Sequence, residues 1–171
     1  PAIDLQTRQR ELTEAHHRMR EQFDGQLMRP GSATSRDRAL LQTIDELGRM
    51  RIILRWEPGS GDYTMPGDEG LARCSAEAMS SSADAIGSGG EAPHSKALDH
   101  LREEHRLELQ KWSQEQLSEG NSQIVRPTLD AGFHLRLTAA MAELIARHTR
   151  IAVGAPAEEH PFGGWGLPSV D

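Results

Sequence analysis

The longest regular run of hydrophobic positions lies between residues 127 and 153. Its large side chains recur at steps of four, four, three, four and three, which places them on one face of a helix. The residues on this face are Phe133, Leu137, Met141, Leu144, His148 and Ile151. Pro127 suits a first helical turn and Gly154 suits the left-handed position after the last, so the pattern predicts a core helix over 127–153. Charged residues interrupt the run and argue against a membrane span.

Three further amphipathic stretches predict three more helices. Residues 3–27 hold a thin stripe in a seven-residue register, and residues 35–47 follow Thr34, which has capping-box spacing to Asp37. Residues 95–119 have one apolar face, and oppositely charged pairs line their other faces. The apolar positions are Leu5, Leu12, Ala15, Met19 and Phe23 in the first stretch, Leu40, Leu41, Ile44 and Leu47 in the second, and Leu98, Leu101, His105, Leu109, Trp112 and Leu117 in the third.

Residues 50–57 alternate apolar and mostly charged side chains, which is the period of a half-buried strand. Gly48 would end the preceding helix, residues 58–61 would form a turn, and residues 62–65 would return as a partner strand. The pattern therefore predicts a small β-hairpin over residues 50–65, with a continued helix as the alternative.

Two segments are predicted to be irregular. Residues 58–95 are acidic and dominated by Gly, Ser, Ala and Pro, a composition typical of a loop or linker because it offers little to bury. Residues 154–171 combine several prolines and glycines with exposed apolar side chains, which is typical of an extended docking tail. The apolar residues of this tail are Phe162, Trp165 and Leu167.

The fold class predicted from these patterns is mainly α, with three to four amphipathic helices, a small hairpin, a long irregular loop and an extended C-terminal tail. The chain divides into a helical pair with the strand (1–57), the loop (58–95), a second helical pair (96–153) and the tail (154–171). Hydrophobic residues make up 36% and aromatic residues 4% of the 171, both low for a chain that buries its own core. We expect either a thin bundle or a subunit that completes its core against neighbours.

The net charge of -7 argues against a general nucleic-acid binder, whose affinity comes from neutralising phosphates. One alternative nevertheless involves DNA, because helix, strand, turn and strand over residues 36–65 follow the order of a winged-helix domain. Its nucleic-acid contacts would be Arg36, Arg38, Arg49, Arg51 and Arg55. Acidic side chains on the same helix oppose this interpretation, so nucleic acid is not the favoured partner.

The eight histidines raise a second alternative, a helical bundle that holds a metal through inward His and Glu side chains. Glu14 and His17 have a suitable spacing, but the other predicted helices lack a matching pair. We therefore expect structural histidines and no bound metal or other cofactor. Cys74 is the only cysteine, and its polar setting predicts an unreactive thiol.

No enzyme signature is present, since the sequence lacks both a Gly-x-Ser-x-Gly elbow and a phosphate-binding Gly-Lys-Ser/Thr loop. We expect a non-enzymatic structural or adaptor subunit of a larger homo- or hetero-oligomer, of which a virion or phage component is one version. Its interface candidates are the helical face over 133–151 and the three apolar residues of the tail. The N-terminus lacks a secretion signal, so we expect a cytoplasmic protein that binds protein partners and no membrane (in the host cytoplasm and the virion if viral).

Overall fold

The computed structural model describes residues 2–27, 34–55, 65 and 67–155, of which 2–6 and 25–27 are described by their backbone alone. These residues form five α-helices and no strand, so the mainly α class is confirmed for them. The helices are α1 (Ala2–Leu27), α2 (Ser35–Ile53), α3 (Asp68–Ser88), α4 (Lys96–Ser118) and α5 (Ser122–Ala152). The ends of α1 and α4 differ from their predicted ends by no more than a single residue.

α5 is the central helix, because α2, α3 and α4 all pack against it. α1 packs against α2, and α3 also packs against α4. α4 and α5 run antiparallel, since Arg102 of α4 reaches Glu143 of α5 while Leu109 lies against Gly132. None of the described helices is long and apolar enough to cross a bilayer.

α2 begins at the capping box that the sequence predicts. Thr34 Oγ1 accepts a hydrogen bond from the Asp37 N–H at 3.2 Å, and Asp37 Oδ2 accepts one from the Thr34 N–H at 2.8 Å. Each bond satisfies a backbone donor that the start of a helix leaves without a partner. The bonds from the backbone and hydroxyl of Thr34 favour the carboxylate and hold the pKa of Asp37 below its ordinary value.

The hairpin predicted over residues 50–65 is wrong in its first strand, because α2 continues to Ile53. Met50 is buried whereas Ile52 is 65% exposed, so these alternate residues do not share the buried face that a strand would give them. Gly48 does not end the helix. A Cβ at this position would lie 2.9 Å from His16 Nε2, so the glycine instead permits α1 to approach closely. Residues 56–64, which include the predicted turn, lie outside the described residues.

The loop predicted over residues 58–95 is wrong where α3 forms. The buried residues of α3 recur at steps of four and three, and all but the first are small: Leu71, Ser75, Ala78, Ser82 and Ala85. Each buried serine hydroxyl donates to the carbonyl four residues earlier at 2.7 Å, so neither is left unpaired in the interior. Alanine has the highest helix propensity, and small side chains allow neighbouring helices to approach closely. A composition that resembles a linker therefore builds a packed helix.

α5 starts at Ser122 rather than at Pro127, so the proline lies inside the helix. Its ring removes one N–H donor from the ladder of hydrogen bonds, and the helix tolerates this loss near its start. The C-terminal end is as predicted. Gly154 has a φ of +82°, and the Ala155 N–H donates to the Arg150 carbonyl at 2.9 Å, which closes the last turn.

Candidate protein-binding face

The residues that α5 buries include several small ones that share one side of the helix. These residues are Gly132, Ala139, Ala142, Ala146 and Thr149, and we call them the inner face of α5. Leu71 and Ala78 of α3 belong to the same core cluster as two of these alanines. A Cβ at position 132 would lie 2.7 Å from Leu109 Cδ2, so α4 approaches α5 as closely as a glycine allows. The small residues of the inner face therefore permit close approach of a neighbouring helix.

A second series of residues runs along the opposite side of α5. Its positions alternate in steps of four and three, and none of them is buried: Arg126, Asp130, Phe133, Leu137, Ala140, Leu144, Arg147 and Ile151. We call these eight residues the outer seam. At about 100° per residue, the outer seam is centred about 160° around the helix from the inner face. Phe133 is 54% exposed, although it is the largest apolar side chain of α5.

Four of the six interface residues predicted on α5 belong to the outer seam: Phe133, Leu137, Leu144 and Ile151. Met141 instead packs against the core cluster, and His148 lies partly buried beside the seam. The large side chains predicted to form the core face of α5 are thus not buried, and the large aliphatic side chain that α5 buries fully is that of Ile145. Outside the described residues lie the three predicted tail residues, Phe162, Trp165 and Leu167.

His148 adds to the apolar character of this side of α5. Partial burial lowers the pKa of its imidazole, and the neighbouring Arg147 charge lowers it further. Its Nδ1 atom is buried and makes no hydrogen bond within the described part of the chain. Both effects favour the neutral ring over the imidazolium.

Glu143 connects α5 to α4 beside the inner face. Its carboxylate is almost fully buried and accepts from Nη1 of Arg102 at 2.9 Å, while Nη1 of Arg147 lies 3.9 Å from its other oxygen. Arg102 also pairs with Asp99 at 3.1 Å. The buried charge is therefore compensated within the fold, as a buried carboxylate requires.

Arg150 fixes the connector between α3 and α4 to the end of α5. Its Nη1 donates to the carbonyl of Pro93 at 3.1 Å and to that of Ala92 at 3.3 Å. These carbonyls belong to no helix, so the guanidinium satisfies acceptors that would otherwise lie unpaired near the interior. This arginine interrupts the hydrophobic pattern for a structural reason.

His105 joins α4 to the start of α3. The ring is 2% exposed, and its Nε2 lies 2.6 Å from Asp68 Oδ1. The second carboxylate oxygen of Asp68 accepts from the backbone N–H of Met65 at 2.7 Å. Both oxygens of the carboxylate thus have donors, and the pair orients two helices against each other.

The arginines that would contact nucleic acid under the winged-helix alternative do not lie on one common side. At about 100° per residue, Arg38 and Arg49 lie on one side of α2 while Arg36 and Arg51 lie on another. Arg49 is also paired with Glu46 at 3.1 Å. Arg55, the fifth of these arginines, lies beyond the C-terminal end of α2. The described residues therefore present neither the first wing strand nor the common basic surface that a winged-helix interface uses.

The two residues considered as metal ligands under the second alternative, Glu14 and His17, make other contacts. Glu14 lies 3.9 Å from Arg18, and His17 lies 3.2 Å from Glu21, each pair one turn apart on the exposed side of α1. Among the described residues, no group of three or more His, Cys, Asp or Glu side chains is placed to hold a metal ion. Burial raises the pKa of the Cys74 thiol, which disfavours the reactive thiolate.

Sequence reasoning missed four members of the outer seam: Arg126, Asp130, Ala140 and Arg147. The signal was present, because the alternation of four and three continues without a break from the first to the last seam position. Three of the missed residues are charged and one is small. A pattern based only on large apolar side chains therefore omits these four positions, although the spacing of four and three residues includes them.

Comparison of the chain with protein-family models, with curated proteins and with solved structures gives no match. The functional assignment therefore depends on the geometry of α5.

Proposed function

We propose that the protein is a non-enzymatic subunit of a larger protein assembly, and that it binds its neighbours through the outer seam of α5. The observation that supports this is a row of large apolar side chains left unburied on the central helix. Leu137, Leu144 and Ile151 are only partly buried, and Phe133 is more than half exposed. Complete burial of such an exposed side chain contributes roughly 1.5–3 kcal/mol. A partner therefore gains most at Phe133 and less at the three side chains that the fold already covers in part.

The interior of the molecule supports the same proposal, because none of the large side chains that are fully buried belongs to the outer seam. The large side chains that are fully buried come from four different helices: Ile44, Leu71, Leu98 and Ile145. Between them, α5 contributes small residues that fill the space between close helices. A contiguous apolar row that the fold leaves outside is typical of a protein–protein interface.

The C-terminal segment over 154–171 enters the proposal on its sequence alone. A segment rich in proline and glycine that carries Phe162, Trp165 and Leu167 has the composition of a peptide that inserts into a groove of a neighbouring subunit. The proposed subunit thus has two binding elements, the outer seam of α5 and the C-terminal segment.

The proposal is tested by photo-cross-linking of the full chain in its native host. Phe133 is replaced by benzoylphenylalanine, and a second variant carries the same group at Leu107 as a matched control. Leu107 is 51% exposed on α4, almost the same as Phe133. We expect discrete protein adducts from position 133 and none from position 107. Equal labelling from both positions, or no adduct from position 133, contradicts a specific binding face.

A further inference from the structure

We infer that the occupant of the outer seam is a second copy of this chain, whose α5 packs antiparallel to the first about a two-fold axis. The axis passes the helix at the level of Thr138 and Ala139, midway along the seam. This inference rests on the proposed function of the outer seam as a protein-binding face, and it names the partner. Three features of the seam support it: spacing, size complementarity and charge complementarity.

The spacing of the outer seam is that of a coiled coil. Steps alternating between four and three residues repeat every seven, and they place each side chain at the core position of a helix pair. The series extends from Arg126 to Ile151, a length of about 38 Å at a rise of 1.5 Å per residue. Three of its members are exposed and five are partly covered by the described fold, so each keeps some surface that a second helix can cover.

Reversal of the seam about its midpoint pairs every member with another member. Phe133 faces Leu144 of the second copy, and the large Leu137 faces the small Ala140. These two pairings form the central layers of the interface. The two-fold axis repeats each pairing once, so each layer occurs twice. At the two ends, the aliphatic stem of Arg126 covers Ile151 of the second copy while its guanidinium reaches water.

Charge complementarity determines the orientation. In the antiparallel pair, Asp130 of each copy faces Arg147 of the other, so both charged layers join opposite charges. A parallel pair would place Asp130 against Asp130 and Arg147 against Arg147, and like charges that face each other across an interface cost several kcal/mol. A face shaped for an unrelated protein has no reason to complement itself in this way.

Both charged side chains are free to engage the second copy. Asp130 is exposed on α5. Arg147 lies 3.9 Å from Glu143, but the other oxygen of that carboxylate is already bound by Arg102 at 2.9 Å. Arg147 therefore turns toward the second copy without leaving Glu143 unpaired.

The orientation is tested by disulfide mapping of the purified full chain, in which Cys74→Ala removes the native thiol. Chains with Asp130→Cys are mixed with chains with Arg147→Cys and oxidised with a mild oxidant. Antiparallel pairing brings these two thiols together, whereas two copies of position 130 lie about 26 Å apart along the axis. A disulfide needs Cα atoms within about 7 Å. We expect a cross-linked dimer only in the mixture. Cross-linking of either variant with itself, or no cross-linking in any sample, overturns the inference.

Sedimentation across about 1 µM to about 1 mM protein provides the second test. We expect a monomer–dimer equilibrium whose Kd rises roughly tenfold or more in Asp130→Arg, because two like-charged layers replace two attractive ones. The double variant Asp130→Arg, Arg147→Asp restores the opposite charges in exchanged positions, and its Kd should return toward the original value. A Kd that is the same in the original chain and in Asp130→Arg overturns the inference.

The cross-linking in cells separates the inference from the proposed function. A purified chain that is monomeric at every concentration, together with adducts between Phe133 and a different protein, overturns the second copy and retains the binding face. A monomeric chain without adducts overturns both.

Discussion

The inner face of α5 consists of small residues, whereas the outer seam carries most of the large apolar ones, and the fold buries the inner face. The inner face consists of glycine, alanine and threonine, and its three alanines have no exposed surface. The outer seam contains phenylalanine, leucine and isoleucine, and none of its members is buried. Hydrophobicity alone would predict the reverse. The comparison teaches that close helix packing can decide which face is buried when several neighbours surround one helix.

Close packing on the inner face has a consequence for stability. Small side chains contribute little free energy individually, at about 0.8 kcal/mol for each buried methylene group. The free energy of unfolding should therefore depend mostly on the few large side chains in the interior. Substitutions that remove a large buried side chain or enlarge a small one should lower it, whereas substitutions in the outer seam should change association rather than folding.

The largest expected difference between the two sides involves adjacent residues. Ile145 is 1% exposed, whereas Leu144 belongs to the outer seam. Ile145→Ala should lower the free energy of unfolding by about 2–5 kcal/mol, because it leaves a cavity in the core. Leu144→Ala should lower it by less than about 1 kcal/mol when the protein is dilute enough to be monomeric. Urea unfolding monitored by circular dichroism measures both free energies. Equal decreases in the two variants would contradict the difference in burial between the two sides.

The next comparison enlarges a small residue on each side. Ala142 is fully buried, so Ala142→Leu should overpack the inner face and cost about 1–3 kcal/mol of unfolding free energy. Ala140→Leu places the same side chain on the outer seam and should change the unfolding free energy by less than about 0.5 kcal/mol. The same urea experiment applies. Identical midpoints for the two variants would show that the inner face is not closely packed.

The buried charge beside the inner face gives a smaller effect. Arg102→Met removes the closest partner of Glu143, and the unfolding free energy should fall by about 1–2 kcal/mol, since Arg102 is partly exposed and Arg147 still neighbours the carboxylate. A second substitution, Glu143→Leu, should recover most of that loss because no uncompensated carboxylate remains. A double-mutant cycle measures the coupling, and strictly additive losses would contradict a direct interaction.

The smallest expected effect depends on pH. Burial lowers the pKa of His148 in the folded chain below its ordinary value of 6.5, so the unfolded chain binds the proton more readily. The stability should therefore fall as the pH drops below this ordinary value, and above it His148 should contribute no slope. His148→Gln should make the decline between about pH 7 and about pH 5 less steep. A variant with an unchanged slope would contradict the burial of this side chain.

Sequence patterns predicted the elements whose boundaries have local causes. The capping box of Thr34 and Asp37 marked the start of α2, and the left-handed Gly154 marked the end of α5. The sequence did not predict α3, because most of its buried positions are alanine or serine, residues that are also common in linkers. Such a helix is stabilised by close packing against α5. The sequence of α3 alone does not indicate that α5 packs against it.

The orientation of α5 could not be predicted from its own sequence for the same reason. The outer seam is more hydrophobic than the inner face, since it carries Phe133, Leu137 and Leu144 where the inner face carries alanines. A helix that packed against one partner would bury the outer seam. The preference reverses only when α3 and α4 approach closely. Gly132 was the local indication of that approach, because only a glycine leaves room for the side chain of Leu109.

Alkylation of single cysteines on the two sides of α5 tests the central claim most directly. In a Cys74→Ala background, Ala142→Cys and Ala140→Cys place matched thiols on the inner face and on the outer seam. The account predicts that the thiol at position 142 is protected at every protein concentration. The thiol at position 140 should react rapidly in dilute protein and become protected as dimers form. Faster reaction at position 142 than at position 140 in dilute protein would contradict the account.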